Sequence, residues 1–176
     1  CRRDAWLEVG GHASIRESMH DGVRLPRVFR RGGHATDVFD GADIVSCRMY
    51  RGFGETWRGF TKNAYEGLGS PVLLLLLTVL HLGGQVAPWF VAFLGLLGAI
   101  GVIDFDTATI PVMALVCAVV AILAQLILRA RLATRFGQAW VGVALHPIGL
   151  LLLTAIQWWS LRLHLAGRRS WRGRVA

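Results

Sequence analysis

Three groups of side chains have types and spacings that could do chemistry. Asp104-Phe105-Asp106 places two carboxylates where they could hold a divalent cation against a diphosphate. They sit in a short connection between two apolar runs, with no preceding strand, and a solvated loop is the simpler reading. His20-Asp21 follows Arg16-Glu17-Ser18-Met19. A carboxylate beside an imidazole at the mouth of a helix can take a proton from a hydroxyl nucleophile. The same two residues also make an ordinary helix cap, and taken alone the cap is the better reading. The third group is Cys47-Arg48-Met49-Tyr50-Arg51 leading into Glu55-Thr56-Trp57-Arg58. Arginines at this density near an aromatic ring can bind a pyrophosphate leaving group, and the alternative is a basic membrane-proximal face. Cys1, Cys47 and Cys117 form no CxxC pair, so neither a zinc site nor a disulfide framework follows.

The elements that must position these groups are marked by an uneven charge. Of 176 residues 54% are hydrophobic, which excludes a disordered chain. Residues 1–70 hold 11 Lys/Arg and 9 Asp/Glu, residues 71–128 hold only Asp104 and Asp106, and residues 129–176 hold 8 Arg and no acid. A soluble piece, an apolar block and a basic tail result. The net charge of +8 comes from a tail flanking a span, where Lys/Arg excess marks the cytoplasmic side, so nucleic acid is not the expected partner. Cys1 is preceded by no Met, basic n-region or apolar h-region, which predicts a fragment whose N-terminal part is absent.

Asp4 can cap a short helix that Gly10-Gly11 ends, and Asp21 stands as N-cap of a second helix that Gly32-Gly33 closes, with Pro26 in its first turn. Residues 34–39 and 44–50 read as strands around the turn Asp40-Gly41. Helix, helix, strand, strand suits the back half of an α/β domain spanning residues 1–52. From Phe53 the period becomes helical, and Phe53, Trp57 and Phe60 share one face. Residues 53–70 therefore predict an amphipathic helix in the headgroup layer, the alternative being packing on the soluble core.

Cut at its turn signals, the apolar region predicts about four transmembrane helices at 71–83, 88–103, 108–128 and 142–162, with Gly83-Gly84-Gln85 and Pro88 turning between the first two. The first two are short for full spans, so a re-entrant hairpin stays open. Basic flanks before and after put both chain ends on the cytoplasmic side and require an even span count. Arg129, Arg131 and Arg135 count against four, which would leave them outside. A basic tail at 166–176 closes the chain.

Taken together, RRDAWLEVGGH, SMHDGVRLPRVFRRGGHATDVFDG, CRMYRGFGETWRGFTKN, the His146-Pro147 pair and SWRGR at 170–174 resemble the C-terminal half of membrane-bound family 2 glycosyltransferases. The hopanoid- and carotenoid-associated members are most similar, and ceramide glucosyltransferases more distantly so. The resemblance implies an α/β acceptor-side remnant of a GT-A domain followed by the interfacial helix and the spans. It implies a hexosyltransferase of the bacterial inner membrane, moving a sugar with inversion from a nucleotide-sugar donor to a lipid acceptor of isoprenoid, hopanoid, carotenoid or sphingolipid type. Asp21 falls in the acidic motif that supplies the catalytic base. Arg51, Trp57 and Arg58 fall in the aromatic/Arg motif with which the family contacts donor diphosphate and acceptor, although Trp57 precedes Arg58, the reverse of the family's QxxRW order; His20 beside Asp21 and Arg48 of the arginine run complete the candidate substrate-binding set. A divalent cation, Mg or Mn, is expected through a first half this chain lacks, with none held in the chain itself. The fragment alone is expected to be inactive. The rival reading is a non-catalytic membrane anchor or partner subunit.

Overall fold

Helix forms wherever the apolar periodicity is helical, and the expected sheet does not form. The computed structural model describes residues 1–18, 20–102, 112–168, 170–171 and 174–175, so Asp104-Phe105-Asp106 lies outside the described residues. The chain divides into two compact units, residues 1–71 with 156–176 and residues 72–155.

In the first unit, α1 (Arg3–Glu8) ends at Gly10, whose φ of 73° is a left-handed conformation that costs glycine nothing. A 3-10 turn over Gly11–Ile15 leads to α2 (Asp21–Arg31). Pro26 sits in the second turn of α2 rather than the first, within a helix that has Leu25 and Phe29 on one side and Arg24, Arg27 and Arg31 on the other. Phe29 is buried against the His34 ring, with centroids 6.0 Å apart. His34 Nε2 in turn lies 3.2 Å from Glu8 Oε2 and ties α1 to the end of α2.

Residues 34–39 and 44–50 are irregular instead of forming strands. Val38 is 93% exposed, and Phe39, Ile44 and Val45 are exposed as well. No layer covers them, so no apolar burial offsets the entropy of holding two strands extended. Local turns take over: Asp37 Oδ1 accepts the Val38 N–H at 2.7 Å, and Asp40 Oδ1 accepts that of Ala42 at 3.0 Å. The α/β remnant of a GT-A domain expected over residues 1–52 is therefore not formed. The strands among the described residues are β1 (Ser170–Trp171) and β2 (Arg174–Val175), an antiparallel pair two residues long on each side.

The aromatic stretch expected as one helix is two, α3 (Phe53–Thr61) and α4 (Ala64–Leu68), interrupted at Lys62-Asn63. Glu55 Oε2 accepts the Arg51 N–H at 2.9 Å and steadies the entry to α3. The Tyr50 ring lies against Gly59 so closely that no Cβ fits there. Phe53 and Phe60 are exposed while Trp57 is half-buried. The C-terminal part of a helix spanning His146–Leu165 completes this unit: Tyr65 donates its N–H to the buried Ser160 Oγ at 3.0 Å, and the Tyr65 and His164 rings are 4.9 Å apart.

In the second unit, α5 (Pro71–Val79), a π-helical turn over Leu80–Val86 and α6 (Ala87–Ala99) join into one helix of 29 residues, with mean hydropathy 1.7 over an 18-residue stretch. α7 (Val112–Arg135) has 24 residues and reaches 2.5 over a stretch of the same length, and α8 (Val141–Ala144) is a single turn. α9 is the His146–Leu165 helix, 20 residues reaching 1.2. Three described helices, rather than about four, are long and apolar enough to cross a membrane, and they make this a multi-pass membrane protein. The correction falls at Gly83-Gly84-Gln85. A peptide group that leaves the helix in hydrocarbon finds no water, so a glycine pair that would end a helix in water widens it instead.

Pro88 has no N–H, so the Gly84 carbonyl loses its usual donor four residues on. Gln125 of α7 reaches that carbonyl through Nε2 at 3.4 Å, and its Oε1 accepts the Trp89 Nε1–H at 3.1 Å. Further along, a Cβ on Gly95 would stand 2.8 Å from Leu115 Cδ1, the close approach that small residues permit between membrane helices. Trp89 opposite Gln125 and Gly95 opposite Leu115 make the pair antiparallel. The hairpin thus returns Arg129, Arg131 and Arg135 toward the end at which Pro71 enters, which removes the objection that four spans had raised.

Candidate functional site

The first unit gathers the polar residues that the sequence singled out around the mouth of α2. His20, with φ −122° and ψ 71°, occupies the cap position, and Asp21 is the first helical residue. Asp21 is exposed, and its Oδ1 accepts the N–H of the adjacent Gly22 at 2.8 Å. Its carboxylate is thus held at the helix entrance, where the dipole favours negative charge, with one face turned to solvent. His20 donates its backbone N–H to Ser18 Oγ at 3.0 Å, and its ring packs over Gly67 of α4, where Cδ2 and Nε2 would lie 3.2 Å from a Cβ. Ser18 Oγ donates to Glu66 Oε1 at 2.7 Å, and Arg24 Nε stands 3.8 Å from the same oxygen. Glu66, with a side chain only 11% exposed, therefore fastens the 18–24 segment to α4.

Beside this anchor lies an open cleft of about 570 Å³ lined by Arg16, Arg24, Arg27 and Arg31, with Glu66 on its wall and His164 contributed by the last turn of α9. Arg24, Arg27 and Arg31 recur at i, i+3 and i+7 and so project from one face of α2. Four guanidinium groups against two carboxylates, Glu17 and Glu66, leave a surplus of positive charge and fork-shaped donors, the chemistry that receives phosphate or diphosphate oxygens.

The arginines chosen from the sequence lie elsewhere. Arg48, Arg51 and Arg58 are exposed and do not line this cleft, and Trp57 pairs its ring with Phe53 at 5.9 Å. The cleft residues were missed because their meeting depends on the turn before α2 and on the far end of α9. The periodic arginines of α2 were the one local signal. Among the described residues no group of three His, Cys, Asp or Glu side chains could hold a metal ion. Compared with protein-family models, with curated proteins and with solved structures, the chain matches none.

Proposed function

We propose that this chain works as a membrane-bound glycosyltransferase that moves a sugar from a nucleotide donor to a lipid acceptor. The observation that carries the reading is the placement on one helix of an exposed carboxylate, Asp21, at the entrance and of Arg24, Arg27 and Arg31 along a polar cleft. Such a helix supplies both needs of the reaction. Asp21 accepts the proton of the acceptor hydroxyl as its oxygen attacks the anomeric carbon from the face opposite the departing group. The bond from that carbon to the diphosphate oxygen breaks, the sugar inverts, and the arginines bind the charge that develops on the leaving oxygens. The described side chains do not fit a metal centre, and no step of this scheme runs through one. Exposed Phe53 and Phe60 support a place for α3 at the lipid surface, where the acceptor arrives.

In membranes containing the full-length protein, replacing Arg24, Arg27 and Arg31 together by Gln should lower transfer of radiolabelled sugar from uridine or guanosine diphosphate donors into extractable lipid by at least about tenfold, with a raised KM for the donor. Equal transfer by the variant would remove the cleft from the reaction. Absence of transfer in the wild type under all donors would favour the anchor or partner-subunit reading.

The same reading places both chain ends in the cytoplasm of a bacterial inner-membrane protein, which takes an even number of crossings: α5–α6 and α7 cross and return, and α9, long enough to cross, ends instead on the side of α4. It is supported by Arg129, Arg131 and Arg135 at the entry end of the hairpin and by the Ser160 and His164 contacts that hold the end of α9 on α4. With the exposed Cys1, Cys47 and Cys117 replaced by Ser, a Ser170→Cys variant should stay unlabelled by a membrane-impermeant thiol reagent in intact cells. Labelling before lysis would put the tail outside.

A further inference from the structure

The second unit carries polar groups that sugar transfer does not use. Gln85, in the π-helical turn, pairs its Oε1 with His146 Nε2 at 3.2 Å. On α7, four residues beyond Gln125, Arg129 donates from a terminal guanidinium nitrogen to Gln138 Oε1 at 3.3 Å. The Arg129 guanidinium is also within electrostatic reach of the His146 imidazole. Arg129 Nε is buried with no hydrogen-bond partner among the described residues.

A guanidinium in this position needs an anion, and among the described residues no carboxylate forms an ion pair with it. No Asp or Glu follows Asp106, and the acids of the apolar block, Asp104 and Asp106, precede α7, whereas Arg129 lies near its far end. Six residues separate Arg129 from Arg135, which places it about 9 Å inward along the helix from the C-terminal end. Its neighbours Ile127 and Leu128 are 57% and 58% exposed, an apolar surface suited to acyl chains, and exposed Trp140 sits two residues beyond Gln138, as aromatic residues do at headgroup depth. Gln138 is itself held in place. Gly137 takes a φ of 59°, and the Gln138 N–H bonds the Ala133 carbonyl at 2.9 Å, so the turn ending α7 fixes the residue that orients the guanidinium.

We propose that Arg129, oriented by Gln138, binds the phosphate of an anionic phospholipid at the C-terminal end of α7. The missing counter-ion is then the lipid itself, the two terminal nitrogens of the guanidinium offer the forked donor pair that phosphate oxygens accept, and an acyl chain runs along the exposed Leu128 beside it. The site is independent of the arginine cleft in the first unit and of the sugar-transfer reading.

The test is a titration of the full chain, stripped of lipid in detergent, with phosphatidylglycerol, read by native mass spectrometry. Wild type should retain one lipid, and Arg129→Gln should weaken retention at least about tenfold because the forked, charge-assisted pair is lost. Gln138→Leu, which leaves every charge in place, should weaken it by roughly three- to tenfold, since the guanidinium loses its orienting acceptor. Arg131→Gln, which removes an equal charge from an exposed position two residues away, should leave retention within about twofold. Should Arg129→Gln fail to fold, the contrast between Gln138→Leu and Arg131→Gln decides. Equal retention by wild type and Arg129→Gln, or equal losses from Arg129→Gln and Arg131→Gln, would overturn the site in favour of general surface charge. Full affinity in Arg129→Lys would overturn it in favour of a membrane-surface anchor, because an ammonium cannot reproduce the fork. Displacement of the lipid by inorganic phosphate at the same concentration would overturn the assignment to lipid.

Discussion

Asp21→Asn in the full-length protein should reduce sugar transfer to a lipid alcohol by about 10²–10⁴-fold while leaving donor binding nearly intact, because a hydroxyl is a poor nucleophile without a base in reach. The local structure makes this a clean substitution. His20 rather than Asp21 occupies the cap position, and the oxygen of an Asn side chain can still accept the Gly22 N–H. Only the loss of a negative charge beside the helix dipole remains as a structural cost, about 0.3–1 kcal/mol. A transfer assay set beside a thermal melt separates the two roles. Near-wild-type turnover would exclude Asp21 as the base, and an acceptor that is already an ionised carboxylate would shrink the loss.

The second large effect is on stability. Gln125→Leu should destabilise the α6–α7 hairpin by about 1–3 kcal/mol, since it strips the Trp89 Nε1–H of its acceptor and the Gly84 carbonyl of the donor that stands in for Pro88, in a medium without water. The sign is informative. Leu is close in size to Gln and more apolar, so if the two bonds were inert the exchange would stabilise a membrane helix. Denaturant unfolding in mixed micelles, followed by tryptophan fluorescence, reads the difference. An unchanged or raised midpoint would show that the bonds contribute nothing.

Sequence reasoning located the membrane segments better than the soluble ones, for physical reasons. The expected span at 108–128 corresponds to α7, which continues through Arg129, Arg131 and Arg135 because long basic side chains can reach the interface from a helix end. The expected span at 142–162 corresponds to α9, entered four residues later. Gly83-Gly84-Gln85 and Pro88 misled because turn signals are calibrated on water, which competes for backbone hydrogen bonds and is absent from a bilayer. Residues 34–50 misled in the opposite way: alternation suggests a strand, but pairing requires a covering layer, and Val38 and Phe39 have none. Of the candidate site, His20-Asp21 at the mouth of α2 was legible, as a local motif. The cleft needed Arg16, Glu66 and His164 to meet across long separations, which no local pattern encodes.

The unbroken helix from Pro71 to Ala99 has a mechanical consequence. Its 29 residues extend about 43 Å at an α-helical rise, against a hydrocarbon thickness of about 30 Å. A helix that is too long for its bilayer tilts or bends, and bending concentrates where the backbone ladder is already widened and side chains are smallest, at Gly83-Gly84. The pairings of Gln125 with Gly84 and of Gln85 with His146 sit at that widened turn. Bilayer thickness therefore acts directly on their geometry: thick membranes relax the curvature and thin ones sharpen it, so the protein is matched to a membrane by length as well as by composition.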